Sequence, residues 1–331
     1  MLSEKPEMSF HCHIIKTGLG AKPDRGVFDV MVDILVRAGC FAAIIILGAL
    51  LRRSGFFKRE DFHLLSRIVI NITLPAAIIT NLAGREMSYS LLMLILIGFL
   101  YGIILIIAAY CLNRRQDPAR QAFAIVNTAG VNISNFVLPF AQGFLGPEGV
   151  IAVSLFDLGN APICLGITYG IGEMIQGKQK HFSLRPMLRS LGKSIPLMTY
   201  IIMSLLAFFH IRLPGPVVDL AGIIGSANAF LAMLMIGVGF HISVGRLPEV
   251  FHILLPRIVI GVLLAALCYF LLPLPLMYRQ ALVIPFLGPI GSSAPAFTAR
   301  LNGDYELASA VNSFSILISI VLIIAALLII L

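Results

Sequence analysis

Ten apolar runs, separated by short polar segments, follow one another along the 331-residue chain. A membrane-spanning helix needs roughly 20 consecutive apolar residues, and runs of that length bounded by charged residues, proline or glycine predict such helices. The chain is therefore expected to be an all-α membrane protein with ten transmembrane helices. The predicted spans are 33–51, 62–83, 88–112, 121–146, 149–176, 194–210, 216–240, 250–272, 277–299 and 304–331.

The distribution of lysine and arginine predicts which side of the membrane each loop faces. Loops on one side of the ten-span arrangement carry fourteen basic residues, whereas loops on the other side carry only Arg85, Arg212 and Arg279. Because cytoplasmic loops are enriched in basic residues, the first set is predicted to be cytoplasmic and both chain termini to lie outside.

The spans and loops divide the chain into four parts. Residues 1–30 are polar and lack the apolar core of a signal peptide, so they are expected to form a disordered N-terminal extension. Residues 31–176 form the first five-helix half, and 177–193 form a cytoplasmic loop. Residues 194–331 form the second five-helix half.

Composition excludes several classes of function. Hydrophobic residues make up 59% of the chain and charged residues only 12%, against roughly 25% charged residues in soluble domains. The formal net charge is +8, but the basic residues lie in short loops, so nucleic-acid binding is not expected. The five cysteines are scattered without metal-ligand spacing, and no catalytic or nucleotide-binding motif is present. No enzymatic activity, metal or cofactor is expected.

Two segments in corresponding positions of the halves resemble each other. The tripeptide Arg-Gln-Ala opens the fourth span at 120–122 and the ninth at 279–281. Pro139 and Pro295 then correspond at an offset of 156 residues, with a three-residue indel in between. Since five is an odd number of spans, the second half would enter the membrane from the opposite side, and the repeats would be inverted.

The fourth and ninth spans are also poor continuous helices. Proline removes an intrahelical hydrogen bond, and backbone groups freed in this way are tolerated in a membrane only inside protein or beside a watery cavity. Interrupted helices in matching positions of two halves indicate a transporter's binding site. The alternative is that these prolines merely kink ordinary helices. The polar and helix-breaking residues are Asn127, Gly130, Asn132, Ser134, Asn135 and Pro139, and Pro285, Gly288, Pro289, Gly291, Ser292, Ser293 and Pro295.

Three motifs resemble those of the auxin efflux carrier family, which includes bacterial malate and malonate carriers and plant PIN-type auxin exporters. The first is Asn-Ile-Thr-Leu-Pro at 71–75, the second is Asn132 placed seven residues before Pro139, and the third is Ser-Ala-Pro-Ala at 293–296, followed by Asp304. The likeness extends over about residues 31–331.

The resemblance implies an elevator-type carrier in a bacterial inner (plasma) membrane. Helices 1, 2, 6 and 7 would form a scaffold through which two copies make a homodimer, and helices 3, 4, 5, 8, 9 and 10 would form a moving transport domain. Ser134 and Val137 stand where the family usually has glycines. These two side chains would narrow the crossover of the broken helices.

The substrate is expected to bind where the two broken helices cross. Side-chain amides can donate hydrogen bonds to a carboxylate, and the half-helix N-termini add positive dipole ends, so this site needs no permanent buried cation. Alternatively, the amides satisfy carbonyls freed by proline, and both roles can coexist. The candidate substrate-binding residues are Asn132, Asn135, Pro139, Gly288, Ser292, Ser293, Pro295 and Asn71.

Asp157 is the most deeply placed acid of the predicted spans. An acid inside a membrane is costly, so its expected role is a proton or cation relay. Asn160 lies nearly one helical turn further along, and Asn312 falls opposite this region at the repeat offset, so all three are candidates for ion or proton coupling. The alternative is a structural ion pair of Asp157 with Arg67 or Arg257.

These features predict a secondary transporter of small organic anions that is coupled to protons or sodium ions. A carrier like the sodium-coupled bile-acid transporters, which share a related inverted-repeat plan, is the first alternative. A non-transporting membrane receptor is the second, and it would require an additional signalling domain. Sodium dependence of uptake separates the two kinds of carrier.

Overall fold

The computed structural model describes residues 27–58, 60–84, 92–179, 181, 183–240 and 244–331. The regular secondary structure of these residues is helical, apart from one isolated antiparallel β-bridge between Val131 and Ile290. Residues 1–26 of the N-terminal extension predicted at 1–30 lie outside the described residues. The first helix begins at Val27.

Ten helical segments, numbered α1 to α10 here, lie within a few residues of the predicted spans. Two of them, α4 and α9, are each divided into halves a and b, and a short helix at Leu184–Gly192 precedes α6. The segments are α1 Val27–Arg53, α2 Asp61–Leu82, α3 Leu92–Asn113, α4a Pro118–Thr128, α4b Leu138–Phe144, α5 Gly146–Ile175, α6 Ile195–Phe208, α7 Gly215–Gly239, α8 Leu247–Leu271, α9a Leu276–Phe286, α9b Ala294–Arg300 and α10 Tyr305–Ile330.

The protein is an integral membrane protein. Among the described residues, seven helices are long and apolar enough to cross a membrane, and there are eight if Leu184–Gly192 and α6, which meet at a 73° bend, form one span. The two segments that remain, α4 and α9, are interrupted, so length and apolarity alone do not identify them as spans. Ten spans in two inverted repeats therefore stay a prediction.

Two Leu-Pro pairs are each preceded by a wider π-helical turn. These turns are Val69–Thr73, before Pro75 in α2, and Ile133–Val137, before Pro139 in α4b. Proline has no N–H to donate to the carbonyl four residues earlier, and its ring collides with that carbonyl. A π turn widens the helix locally and lets it continue past the proline. Proline therefore widens these two segments without ending them.

The half-helix α4b is anchored to α1 by aromatic stacking and by one hydrogen bond. Phe136 stacks on Phe140 with ring centroids 4.9 Å apart, and Phe41 of α1 packs edge-on against Phe140 at 5.2 Å. The Arg37 guanidinium donates to the carbonyl of Gly143 at 2.6 Å. These contacts hold the second half of the broken segment in a defined position.

Glycine allows α1 and α7 to approach until their backbones touch. A Cβ added to Gly48 would lie 3.1 Å from the Cα of Gly237 and would collide with the carbonyl of Leu234. Helices inside a membrane gain stability mainly from such close packing, because lipid provides no hydrophobic drive for their association. Any side chain at Gly48 would therefore force α1 and α7 apart.

Gly48→Ala should lower the stability of the folded protein by about 1–3 kcal/mol, because the added methyl group overpacks the contact between α1 and α7. The matched control is Gly39→Ala in the same helix, where a Cβ meets nothing within 4 Å. Thermal unfolding of the purified variants in detergent provides the measurement. Equal melting temperatures for the two variants would contradict the proposed packing.

Candidate functional site

The interruptions of α4 and α9 lie against each other. The helical path of α4 stops after Thr128 and resumes at Ile133, and that of α9 stops after Phe286 and resumes at Ala294. The two irregular stretches join through the antiparallel bridge, and the Asn132 N–H donates to the carbonyl of Pro289 at 2.9 Å. The broken segments therefore cross at their breaks.

Arg257 of α8 satisfies carbonyls from both breaks at once. Its Nη1 donates to the carbonyls of Thr128 and, at 2.9 Å, Gly130, and its Nη2 donates to Gly288 at 2.9 Å and Pro289 at 3.2 Å. The side chain is buried, with 3% of its surface exposed. A single guanidinium thus ties the two broken segments together.

The neighbouring helices α5 and α10 each supply one polar side chain to a break. The Asn160 side-chain amide both accepts from the N–H of Val131 and donates to its carbonyl, each at 2.9 Å. In α10, the Ser315 hydroxyl oxygen accepts from the N–H of Ile290 at 3.2 Å. These side chains replace the helical hydrogen bonds that the breaks remove, which is what burial in a membrane protein requires.

A cavity of about 150 Å³ lies beside the crossover. The cavity is lined by residues of α4, α5 and the break of α9, together with Ile70 of α2 and with Pro196, Leu197 and Tyr200 of α6. The polar residues lining the cavity are Asn132, Ser134, Asn135, Asp157, Asn160, Cys164, Ser194, Tyr200, Ser292 and Ser293.

Asp157 is buried in the wall of this cavity and is held by two neutral groups. Its carboxylate accepts hydrogen bonds from the Ser134 hydroxyl and from the Asn160 amide, both at 3.0 Å. Arg257 donates to backbone carbonyls instead, and Arg67 is exposed. The structural ion pair that the sequence left open as an alternative is therefore wrong for both arginines.

The two candidate asparagines of the α4 break also line the cavity. Asn135 is only 3% exposed, and within the described part of the chain its side-chain oxygen has no hydrogen-bond partner. Buried polar atoms are normally paired, and this oxygen can accept a hydrogen bond only from a donor group. Asn160, by contrast, uses its amide fully on Val131 and Asp157.

Two prolines lie away from the positions expected for them. Pro139 is the second residue of α4b and Pro295 the second residue of α9b, both are buried, and neither lines the cavity. The α4 break comes seven residues before Pro139, so the prediction that this proline breaks α4 and faces Pro295 across the cavity is wrong. The physical reason is the π turn, which absorbs the missing hydrogen bond.

Three further candidates do not line the cavity either. Gly288 packs against Val131 and Val137 and contributes its carbonyl to Arg257. Asn71 is exposed on the π turn of α2, although its neighbour Ile70 reaches the cavity. Asn312 lies in α10, where its carbonyl accepts from Ser315 and its buried side-chain oxygen has no partner among the described residues. Of the named candidates, Asn132, Asn135, Asp157, Asn160, Ser292 and Ser293 are brought together.

Sequence reasoning named Arg257 only as a possible ion-pair partner of Asp157 and missed its role at the two breaks. It expected no permanent buried cation, and Arg257 contradicts that expectation. The available signal was a lone arginine directly after Pro256 in the middle of an apolar span, since an ionisable group at that depth indicates function. Cys164 and Tyr200 also line the cavity, but their residue types carried no such signal.

A larger cavity of about 600 Å³ opens at the loops between α3 and α4, between α7 and α8 and between α9 and α10. In it, Arg246 donates hydrogen bonds to both Glu249 and Asp304, and these contacts raise the pKa of Arg246 above its ordinary value. Partial burial of Asp304 raises its pKa, but hydrogen bonds from the Leu307 N–H and from Arg246 outweigh that effect, and the net pKa is lowered. The charges of this cavity therefore neutralise one another.

No family model matches the chain. It is similar to an uncharacterized transporter of Methanocaldococcus jannaschii, with 28% identity over 220 residues that cover 63% of this chain and 66% of that protein. It is also 28% identical to an uncharacterized transporter of Methanothermobacter thermautotrophicus over 121 residues, which cover 35% of this chain and 40% of that protein. The matched part spans less than two thirds of either relative, and neither name includes a substrate.

Asn160→Ala should destabilise the fold by about 1–3 kcal/mol, because it leaves the N–H of Val131 buried without a partner. The matched control is Asn81→Ala, since the Asn81 amide donates only to Ala77 one turn earlier in its own helix. Thermal unfolding in detergent measures both variants. If Asn160→Ala melts no earlier than Asn81→Ala, the assigned role of this amide is wrong.

Proposed function

We propose that this chain is a secondary transporter that binds a small organic anion in the cavity beside the crossover. The observation that carries the proposal is the cavity itself, which is lined by both broken segments and by the side chains of Asn132 and Asn135 next to the buried acid Asp157. Both relatives are named as transporters. Interrupted helices that cross at a polar cavity are the arrangement in which secondary carriers bind substrate.

The architecture proposed for this carrier is ten spans in two inverted five-helix repeats, as in the auxin efflux carrier family. Equivalent helices of the two halves hold equivalent breaks, because Asn160 of α5 bonds Val131 and Ser315 of α10 bonds Ile290. Asn160 follows Val131 by 29 residues in the first half, and Ser315 follows Ile290 by 25 residues in the second. This correspondence supports a common origin of the halves.

The size of the cavity favours a short carboxylate as substrate. A protein cavity of about 150 Å³ holds a molecule the size of benzene, which is close to the size of malonate. A four-ring bile acid is far too large for the cavity in this conformation, so we favour the small-anion carrier over the bile-acid-like alternative. The amides of Asn132 and Asn135 are suitable donors to a carboxylate.

We propose that a proton on Asp157 accompanies the anion. Two like charges 4 Å apart repel by about 4 kcal/mol at an effective dielectric constant of about 20, which weakens binding by roughly a thousandfold. Protonating Asp157 removes this repulsion and leaves the charge of Arg257 to attract the anion across the break. The groups around Asp157, namely Ser134, Asn160, Cys164 and Tyr200, add no further fixed charge.

The cavity is lined by two groups of helices, which suits elevator-type movement. One group is α4, α5 and the α9 break, and the other is α2 and α6. In the family that the sequence resembles, these groups would be the transport domain and the scaffold. A substrate held mainly by the first group would be carried along as that group slides past the second.

Purified protein in proteoliposomes should accumulate radiolabelled malonate or malate when the outside is more acidic than the inside, because protons then move inward together with the substrate. In binding assays, affinity should rise about tenfold for each unit that the pH falls while Asp157 is ionised, because the anion then binds together with one proton. Asp157→Asn imitates the protonated acid and should bind the anion equally well across that range. The control Asp219→Asn changes an exposed carboxylate and should keep the wild-type pH dependence.

Uptake of only neutral or cationic compounds would contradict the anion proposal. Wild-type binding that does not depend on pH would contradict the proton on Asp157 and would leave the site in place. The two parts of the proposal can therefore fail separately.

Substrate should protect Cys164 from alkylation, because this thiol lines the cavity. The test uses a variant in which Cys164 is the only cysteine and a small maleimide as reagent. Saturating malonate or malate should slow the reaction severalfold. In the control variant only Cys111 remains, and since that residue is exposed at the far end of α3, its labelling rate should not change. Equal rates with and without substrate would place binding elsewhere.

A further inference from the structure

Four backbone carbonyl oxygens converge on one cation at the crossover. Two of them, from Thr128 and Gly130, belong to the end of α4a and its break, and the other two, from Gly288 and Pro289, follow the end of α9a. The C-terminal end of a helix carries roughly half a negative charge. Two such ends meet here, and Arg257 places its positive charge against both of them.

In secondary carriers, carbonyls of unwound backbone and half-helix C-terminal ends are the groups that coordinate a coupling sodium ion. In this chain the same kind of oxygen cluster is already taken by the Arg257 guanidinium, with nitrogen–oxygen distances that include 2.9 and 3.2 Å. A sodium ion and a guanidinium cannot occupy the same four-oxygen cluster.

We infer that Arg257 is a tethered cation that fills the place of a coupling sodium ion, so that the crossover binds no free cation unless this side chain is removed. Arginine suits the role because it does not lose its proton in proteins and because its planar fork donates in several directions. Arg257 is therefore a positioning residue, which fixes the two breaks without contacting the substrate.

The inference rests on the proposed carrier function, since only a carrier needs a coupling ion. Its test measures cation binding and requires no substrate, so the two can fail independently. A carrier that moved no carboxylate would still have its crossover carbonyls occupied by Arg257. A carrier that moved malonate together with sodium would confirm the substrate class and overturn the tethered cation.

The first measurement uses the full-length wild-type protein in detergent. Its melting temperature is compared in sodium chloride and in choline chloride at equal ionic strength, and binding of radioactive sodium is measured in parallel. We expect the same melting temperature in both salts and no saturable sodium binding. A ligand that binds only the folded state raises its stability once the ligand concentration exceeds the dissociation constant, so saturable sodium binding with a matching rise in melting temperature would overturn the inference.

The second measurement removes the tethered cation. Arg257→Ala should melt several degrees below wild type in choline chloride, and sodium, potassium or millimolar methylguanidinium should restore part of the loss by entering the vacated oxygen cluster. The control is Arg52→Ala, because the Arg52 guanidinium also donates to two carbonyls at a helix end, those of Val238 and Phe240. That helix end is only partly buried, so water can donate hydrogen bonds to the freed carbonyls. None of the three cations should therefore raise the melting temperature of Arg52→Ala above its value in choline chloride.

If none of the three cations stabilises folded Arg257→Ala more than choline does, the carbonyl cluster is not a cation site and the inference is wrong. If Arg257→Ala does not fold, Arg257→Lys decides the question together with the wild-type measurement. Its ammonium group keeps a tethered charge among the carbonyls, so the protein should fold, melt below wild type and remain insensitive to sodium. Stabilisation of Arg257→Lys by sodium would overturn the proposal.

Discussion

The structure depends on satisfying the backbone groups that two broken helices expose inside a membrane protein. In a lipid environment an unpaired N–H or carbonyl costs several kcal/mol, because no water is available to bond it. Among the described residues, Asn160 from α5, Arg257 from α8 and Ser315 from α10 supply partners for the breaks, and the Tyr101 hydroxyl from α3 donates to the carbonyl of Phe286, where α9a ends. Hydrogen bonds between residues far apart in the sequence thus hold the crossover together. The same hydrogen bonds fix the positions of the surrounding helices.

This arrangement also sets the electrostatics of the cavity. Arg257 lies behind the breaks on one side, and Asp157 lies in the cavity wall on the other. With both groups ionised the pair is neutral overall, and with Asp157 protonated one positive charge remains. The neutral amides of Asn132 and Asn135 can then orient a bound carboxylate by donating hydrogen bonds to it, without adding charge. A site of this kind changes its preference for an anion through a single proton.

Several parts of the fold were predictable from local sequence. The lengths of the apolar runs indicated the ten helical segments to within a few residues, because a helix must cover the hydrocarbon thickness. The cluster of proline, glycine and polar residues indicated that α4 and α9 are interrupted, because such residues weaken a helix wherever they occur. Asp157 could be identified as part of a site because an acid at that depth is costly.

The sequence by itself determined the helices, the two interruptions and the residue types gathered near them, since each follows from properties within one or two helical turns. Tertiary structure alone decided that Arg257 binds carbonyls 127 to 129 residues away and 31 to 32 residues away rather than Asp157. It also decided that Asn71 faces outward and that Pro139 lies beyond its break. These outcomes depend on which distant backbone groups need partners, and that is fixed only when the helices pack.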